Sequence, residues 1–193
     1  MSAPETEFYS EERWENWLDR LRDEDIDPED EESARLLLNL QDDVAIAIAK
    51  ILTAYTDDEL DTEQTMGELE EIREVVLADP EIENEDTLML VDGVQTSLVA
   101  VFYSAERFVA EGPVEEGTVE EHIRHAAAAE AEEDLDAALG HASAAGTLLI
   151  DGDDLDIGVT EEIEYGLVTE WVNGLDSLRE ALADPEVIEP DEE

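Results

Sequence analysis

Apolar residues recur along this chain with the period of one buried helical face. In the stretch 36–55, Leu37, Leu40, Val44, Ala47, Ile51 and Ala54 follow at spacings of 3, 4, 3, 4 and 3, which marks an amphipathic helix. Val91, Val94, Leu98, Val101, Ala105 and Phe108 repeat the same series. Val168, Trp171, Leu175, Leu178 and Leu182 make a third seam, and Trp14, Trp17, Leu18 and Leu21 a shorter one. No segment alternates convincingly with period two, so the pattern predicts an all-α fold.

Stop and start residues divide this pattern into about seven helices. Ser10 caps a first helix at Glu11–Asp23, with Tyr9 and Trp14 at hydrophobic-staple spacing. Pro28 separates it from a second, Glu31–Thr56, about 40 Å long. Asp61 or Thr62 opens a third that ends before Pro80, and the fourth covers about 86–111. Thr118-Val119-Glu120-Glu121 is a capping box for a fifth, Val119–Ala131, and a sixth follows over 135–149. A Gly/Asp loop at 151–159 leads to a seventh capped by Thr160 and stopped by Pro185. The expected architecture is an irregular helical bundle with helices 2 and 4 central, in a single domain over 8–184. That domain divides into a core bundle (8–111) and a C-terminal hairpin plus helix 7 (118–184), with flexible termini at 1–7 and 185–193. Gly93, Ser97, Ala100 and Ser104 form a stripe of small residues on helix 4, which would let a neighbouring backbone approach closely.

Charge changes the picture. Of 193 residues 58 are acidic and nine basic, a net charge of −49, while 42% are apolar. The apolar share is too high for a disordered acidic chain. Carboxylates spread over the whole length, and Lys50 is the single lysine. In molar salt the Debye length falls to about 3 Å, so such charges barely interact beyond contact. The composition therefore predicts a cytoplasmic protein adapted to a salt-saturated cell interior. Scattered cations argue against nucleic-acid binding. The absence of cysteine excludes disulfides and thiolate metal sites. The segment 36–55 carries Asp42, Asp43 and Lys50 and is not read as a membrane span.

Four constellations carry candidate chemistry. On helix 2, Asp42 lies about 160° from the Val44 core direction, toward water or a second layer, whereas Asp43 sits at the core boundary beside Asn39 and Lys50. Asp43, Asp92 and Glu106 would make a carboxylate site for Mg²⁺ or Mn²⁺ if they converge between helices 2 and 4. All-helical nucleotide pyrophosphatases pair two acids per helix, but Met89 stands where the partner of Asp92 belongs. Second, His122 and His125 are one turn apart on helix 5 and His141 is on helix 6, so a closed hairpin brings them, with Glu121, around zinc or iron. Third, the acidic loop from Asp151 to Glu162 has Leu155 and Asp156 where a calcium loop needs a ligand and a glycine. Fourth, Phe8, Tyr9, Trp14 and Trp17 with Arg13 and Arg20 form either a core-docking stripe or a surface for a protein partner. No phosphate-cradling glycine pattern or nucleophile elbow occurs.

The strings FYSEERWENW, LLLNLQDDVAIA and LVDGVQTSLVAVFYSAE resemble an archaeal, mainly haloarchaeal, protein family of unknown function, over most of the chain from Phe8 to about Leu182. The resemblance supports the halophilic reading and implies no assigned activity. The expected function is that of a non-enzymatic interaction or scaffold protein, without a cofactor, that binds a protein partner or a second copy of itself. The alternative is a divalent-metal enzyme acting on a phosphorylated small molecule through the carboxylates of helices 2 and 4. Dialysis from molar KCl into low salt should unfold the protein. An unchanged helical circular dichroism spectrum would contradict the halophilic account.

Overall fold

Local capping starts most of the helices. Ser10 accepts the Arg13 amide at 3.1 Å and opens α1 (Glu11–Asp23). α2 runs over Glu31–Thr56, α3 over Thr62–Val76 behind the Asp61–Gln64 capping box, and α4 over Glu85–Glu111 behind Asn84. Thr118 and Glu121 cap α5 (Val119–Ala131) reciprocally, and Asp134 caps α6 (Leu135–Asp151), which ends on the left-handed Gly152. A 3₁₀ turn (Ile157–Glu161) and α7 (Leu167–Ala183) follow. The computed structural model describes residues 9–183 apart from 25 and 28, and among them there is no strand. Phe8 and both termini expected to be flexible lie outside the described residues.

α4 packs against α2, α3, α6 and α7, and α2 against α3, α4 and α7. One buried apolar cluster extends from Tyr9 to Ala181 through both parts of the chain. α4 has the length and hydropathy of a membrane span, but these four helices cover its apolar side. α7 is as central as α2 and α4, since it touches α2, α4, α5 and α6. The middle of α2 departs from the one-faced helix expected of its spacing. Ala45, Ile46, Ile48, Ala49 and Leu52, off the stripe, are buried as well, as befits a strut with neighbours on several sides.

The small-residue stripe explains how α4 takes two neighbours at once. A Cβ on Gly174 of α7 would stand 2.2 Å from the Ser97 carbonyl oxygen, and one on Gly146 of α6 would stand 1.8 Å from Ser104 Oγ. Both crossings therefore require glycine. A polar node sits beside the first. Gln41 donates to Ser177 Oγ (2.8 Å) and to the Asn173 carbonyl (3.3 Å), and Ser97 donates to Gln41 Oε1 (2.8 Å). Gln95, which helical register sets opposite Gln41, instead donates to the Val76 and Ala78 carbonyls at the end of α3.

The start of α7 departs from the expectation. Thr160 lies inside the 3₁₀ turn, and α7 begins at Leu167. Its first amides are satisfied from another helix: Glu130, near the end of α5, accepts from Leu167 N (2.7 Å) and Val168 N (3.1 Å). A carboxylate at that position also complements the helix dipole.

The crossings predict opposite outcomes for two Gly→Ala changes. Alanine gains about 1 kcal/mol of helix propensity, and Gly67 in α3 has open space around it. G67A should therefore raise Tm by about 2–4 °C. In G174A a clash worth about 1–3 kcal/mol meets an unyielding carbonyl, so Tm should fall. Thermal unfolding of the two variants in molar KCl measures both signs.

Candidate functional site

The acid at the α2 core boundary is a docking point for α1. Asp43 is 9% exposed and takes a two-pronged ion pair from the Arg13 guanidinium, with Nε at 2.7 Å, while Trp17 Nε1 donates to it at 3.0 Å. The Asp43 hydrogen bonds raise the Arg13 pKa and hold it charged. Tyr9 lies under the guanidinium, 5.9 Å from ring centroid to Cζ. Its buried hydroxyl faces Asp43 without a well-formed hydrogen bond, and burial, then the Asp43 charge, push it well above the ordinary phenol range. Trp14, Leu18 and Leu21 are buried. The α1 residues proposed from sequence for a partner thus serve the fold in this state: Tyr9 and Trp14 are buried, Arg13 is engaged by Asp43 and Trp17 is half-buried. Arg20 is exposed and stacks on Trp17 at 5.6 Å.

The three acids proposed for Mg²⁺ or Mn²⁺ are not brought together. Asp43 is held by Arg13, and Glu106 is paired with Arg73. Burial pushes Glu106 above the ordinary carboxyl range, against the pull of Arg73. Asp92 is exposed on the wall of a groove between α2, α4 and α7. Two of the three proposed ligands have therefore spent their charge on arginines.

That groove encloses about 870 Å³. Gln41, Leu90, Val94 and Leu167 line it, with Asp42, Asp92, Glu170, Asp176 and Glu180 among its walls. Burial first, and then the neighbouring Asp176, raise the Asp42 pKa, while a Ser177 hydrogen bond opposes the shift. A narrower apolar cleft of about 330 Å³ continues from it between Ala34, Leu37, Leu38, Leu90 and Val94. Leu38, Met89 and Tyr165 stand on the groove at 54%, 60% and 80% exposure. They are three of the five exposed large hydrophobic residues described, the others being Tyr103 and Leu135.

On the opposite part of the chain the α5–α6 hairpin gathers the histidines. One ring nitrogen from each of His122, His125 and His141 lies within 4.8 Å of the others. The His141 ring centroid is 5.4 Å from that of His125 and 6.4 Å from that of His122. Burial, then His125, His122 and Arg107, hold the His141 pKa below the ordinary imidazole range. Glu121 belongs to the α5 cap, where it accepts the Thr118 amide at 2.9 Å.

The sequence model of a family described as an uncharacterized protein conserved in archaea (DUF2150) matches residues 7–191. The chain belongs to this family. No curated protein and no solved structure matches it. For this archaeal protein, helical register found the Asp43 boundary and the histidine spacing. It missed the α2–α4–α7 groove, because Leu38, Met89 and Tyr165 come from segments that only the tertiary fold brings together. Helix-wheel position and the oversized apolar side chains at Leu38 and Met89 were the available signals.

The Asp43 node predicts a stability defect independent of divalent ions. D43A leaves Arg13 and the Trp17 indole without their acceptor and should cost about 2–4 kcal/mol. Denaturant unfolding in molar KCl, followed by tryptophan fluorescence, measures the loss. Mg²⁺ or Mn²⁺ should not change the difference between wild type and variant; a metal-dependent difference would reinstate Asp43 as a ligand.

Proposed function

We infer that this archaeal protein works without catalysis, by binding another protein in the groove between α2, α4 and α7, in a salt-rich cytoplasm. The observation that carries this reading is the gathering of Leu38, Met89 and Tyr165 on one groove that continues into an apolar cleft. Exposed apolar side chains grouped on one concavity mark interaction surfaces, whereas isolated ones do not. The groove is flanked by three helices, the arrangement that receives the apolar face of a partner helix.

Charge narrows the partner. The charged residues lining the groove, Asp42, Asp92, Glu170, Asp176 and Glu180, are all acidic. A second copy presenting the same face would set carboxylate against carboxylate. Salt screens distant charges but leaves pairs at contact largely intact. The fitting occupant is an apolar helix with flanking Arg or Lys.

A photo-crosslinking amino acid placed at Leu38 or Met89, and at Tyr103 as a control on another surface, tests this in cells grown at high salt. Adducts of one discrete mass from the groove positions, lost in Y165E and absent at Tyr103, are expected. Equal labelling at all three positions, or none from the groove, overturns the reading.

A further inference from the structure

We propose that His122, His125 and His141 bind one divalent transition-metal ion of the zinc type, clipping α5 to α6 on a face separate from the groove. The chain has three histidines in 193 residues, and the fold brings all three to one place. Two come from successive turns of α5 and the third from the facing turn of α6. Zinc–imidazole bonds of about 2.0–2.1 Å in tetrahedral geometry set ligand nitrogens roughly 3.4 Å apart. The nitrogens, within 4.8 Å of one another, therefore need to close by at most about 1.4 Å. His125 is exposed and His122 and His141 partly so, which leaves room for that adjustment and a path for the ion.

The environment of His122 is a second, independent observation. Its Nε2 lies 2.9 Å from the Glu116 carbonyl oxygen. A carbonyl only accepts, so Nε2 carries the proton and donates. In the neutral ring Nδ1 then keeps its lone pair, and Nδ1 is buried without any hydrogen-bond partner. A backbone carbonyl fixing one ring nitrogen while the other stays free is the usual support of a metal-bound histidine. Gly117, at φ +91°, lets the loop close over the ring, since a Cβ there would stand 2.7 Å from Nε2. An unpaired buried nitrogen costs free energy in the apo protein, and an ion would satisfy it.

Imidazole also supplies selectivity. The 58 carboxylates will gather hard cations such as Mg²⁺ wherever they cluster, whereas nitrogen ligands favour the zinc group over Mg²⁺. Three protein nitrogens leave the fourth tetrahedral position open to solvent.

Cobalt is the probe, because tetrahedral Co²⁺ absorbs strongly in the visible and octahedral Co²⁺ weakly. The full chain, in molar KCl with excess Mg²⁺ to occupy carboxylates, is titrated with Co²⁺ and then with Zn²⁺. One equivalent of tetrahedral cobalt, displaced by zinc, and a Tm raised by zinc are expected. H125A and H141A, at exposed and half-buried positions, should fold and weaken binding by at least about tenfold. E121Q, which alters only the α5 cap, should bind as wild type does. Weak octahedral absorption alone, no uptake, or uptake unchanged in H125A and H141A would overturn the proposal.

Discussion

Everything in this fold depends on how closely α4 and α7 cross. At Gly174 the backbone of α7 comes so near the Ser97 carbonyl that no side chain fits between them. Such proximity buries backbone and small side chains at high density, and it brings Gln41 of α2 within reach of both helices. One amide thereby fixes the register of three helices. Apolar packing alone tolerates small rotations; a buried amide with several partners in place does not, because any shift leaves a polar group unsatisfied.

Electrostatics divides the molecule in two. Seven arginines, at 13, 20, 22, 73, 107, 124 and 179, each hold a carboxylate. Arg13 and Arg73 join separate helices, and Arg107 also donates to Gly140 and Ser143 of α6. The scarce cations therefore act chiefly within the fold. The sequence as a whole keeps a net charge of −49, so most carboxylates have no arginine or lysine to pair with.

Several helix boundaries were legible to the residue, and the reason is local. Ser10 and Thr118 act on amides three positions ahead, so their chemistry lies within one glance at the chain. The seam of α7 is legible, but its start is not, because its cap, Glu130, is 37 residues from the amide it satisfies. The Asp43 environment was half legible: register set it at the core boundary, but its partners, Arg13 and Trp17, belong to another helix. The meeting of the histidines could be anticipated because a short hairpin leaves few alternatives for two adjacent antiparallel helices. The groove could not, since three separate segments build it.

The remote cap of α7 also bears on the order in which the molecule comes into being. Among the described residues only Thr169 Oγ1 serves the α7 N-terminus locally, accepting the Gly166 amide at 2.9 Å. The acceptor for the Leu167 and Val168 amides arrives when α5 is in position, so α7 has little tendency to form by itself. The chain emerges from the ribosome N-terminus first, so α2 and α4 are made long before Leu167–Ala183. Until then the apolar surface that α7 covers on both helices stays open, beside the unfilled Leu38 and Met89 strip. When α7 docks it both covers that surface and completes one wall of the groove.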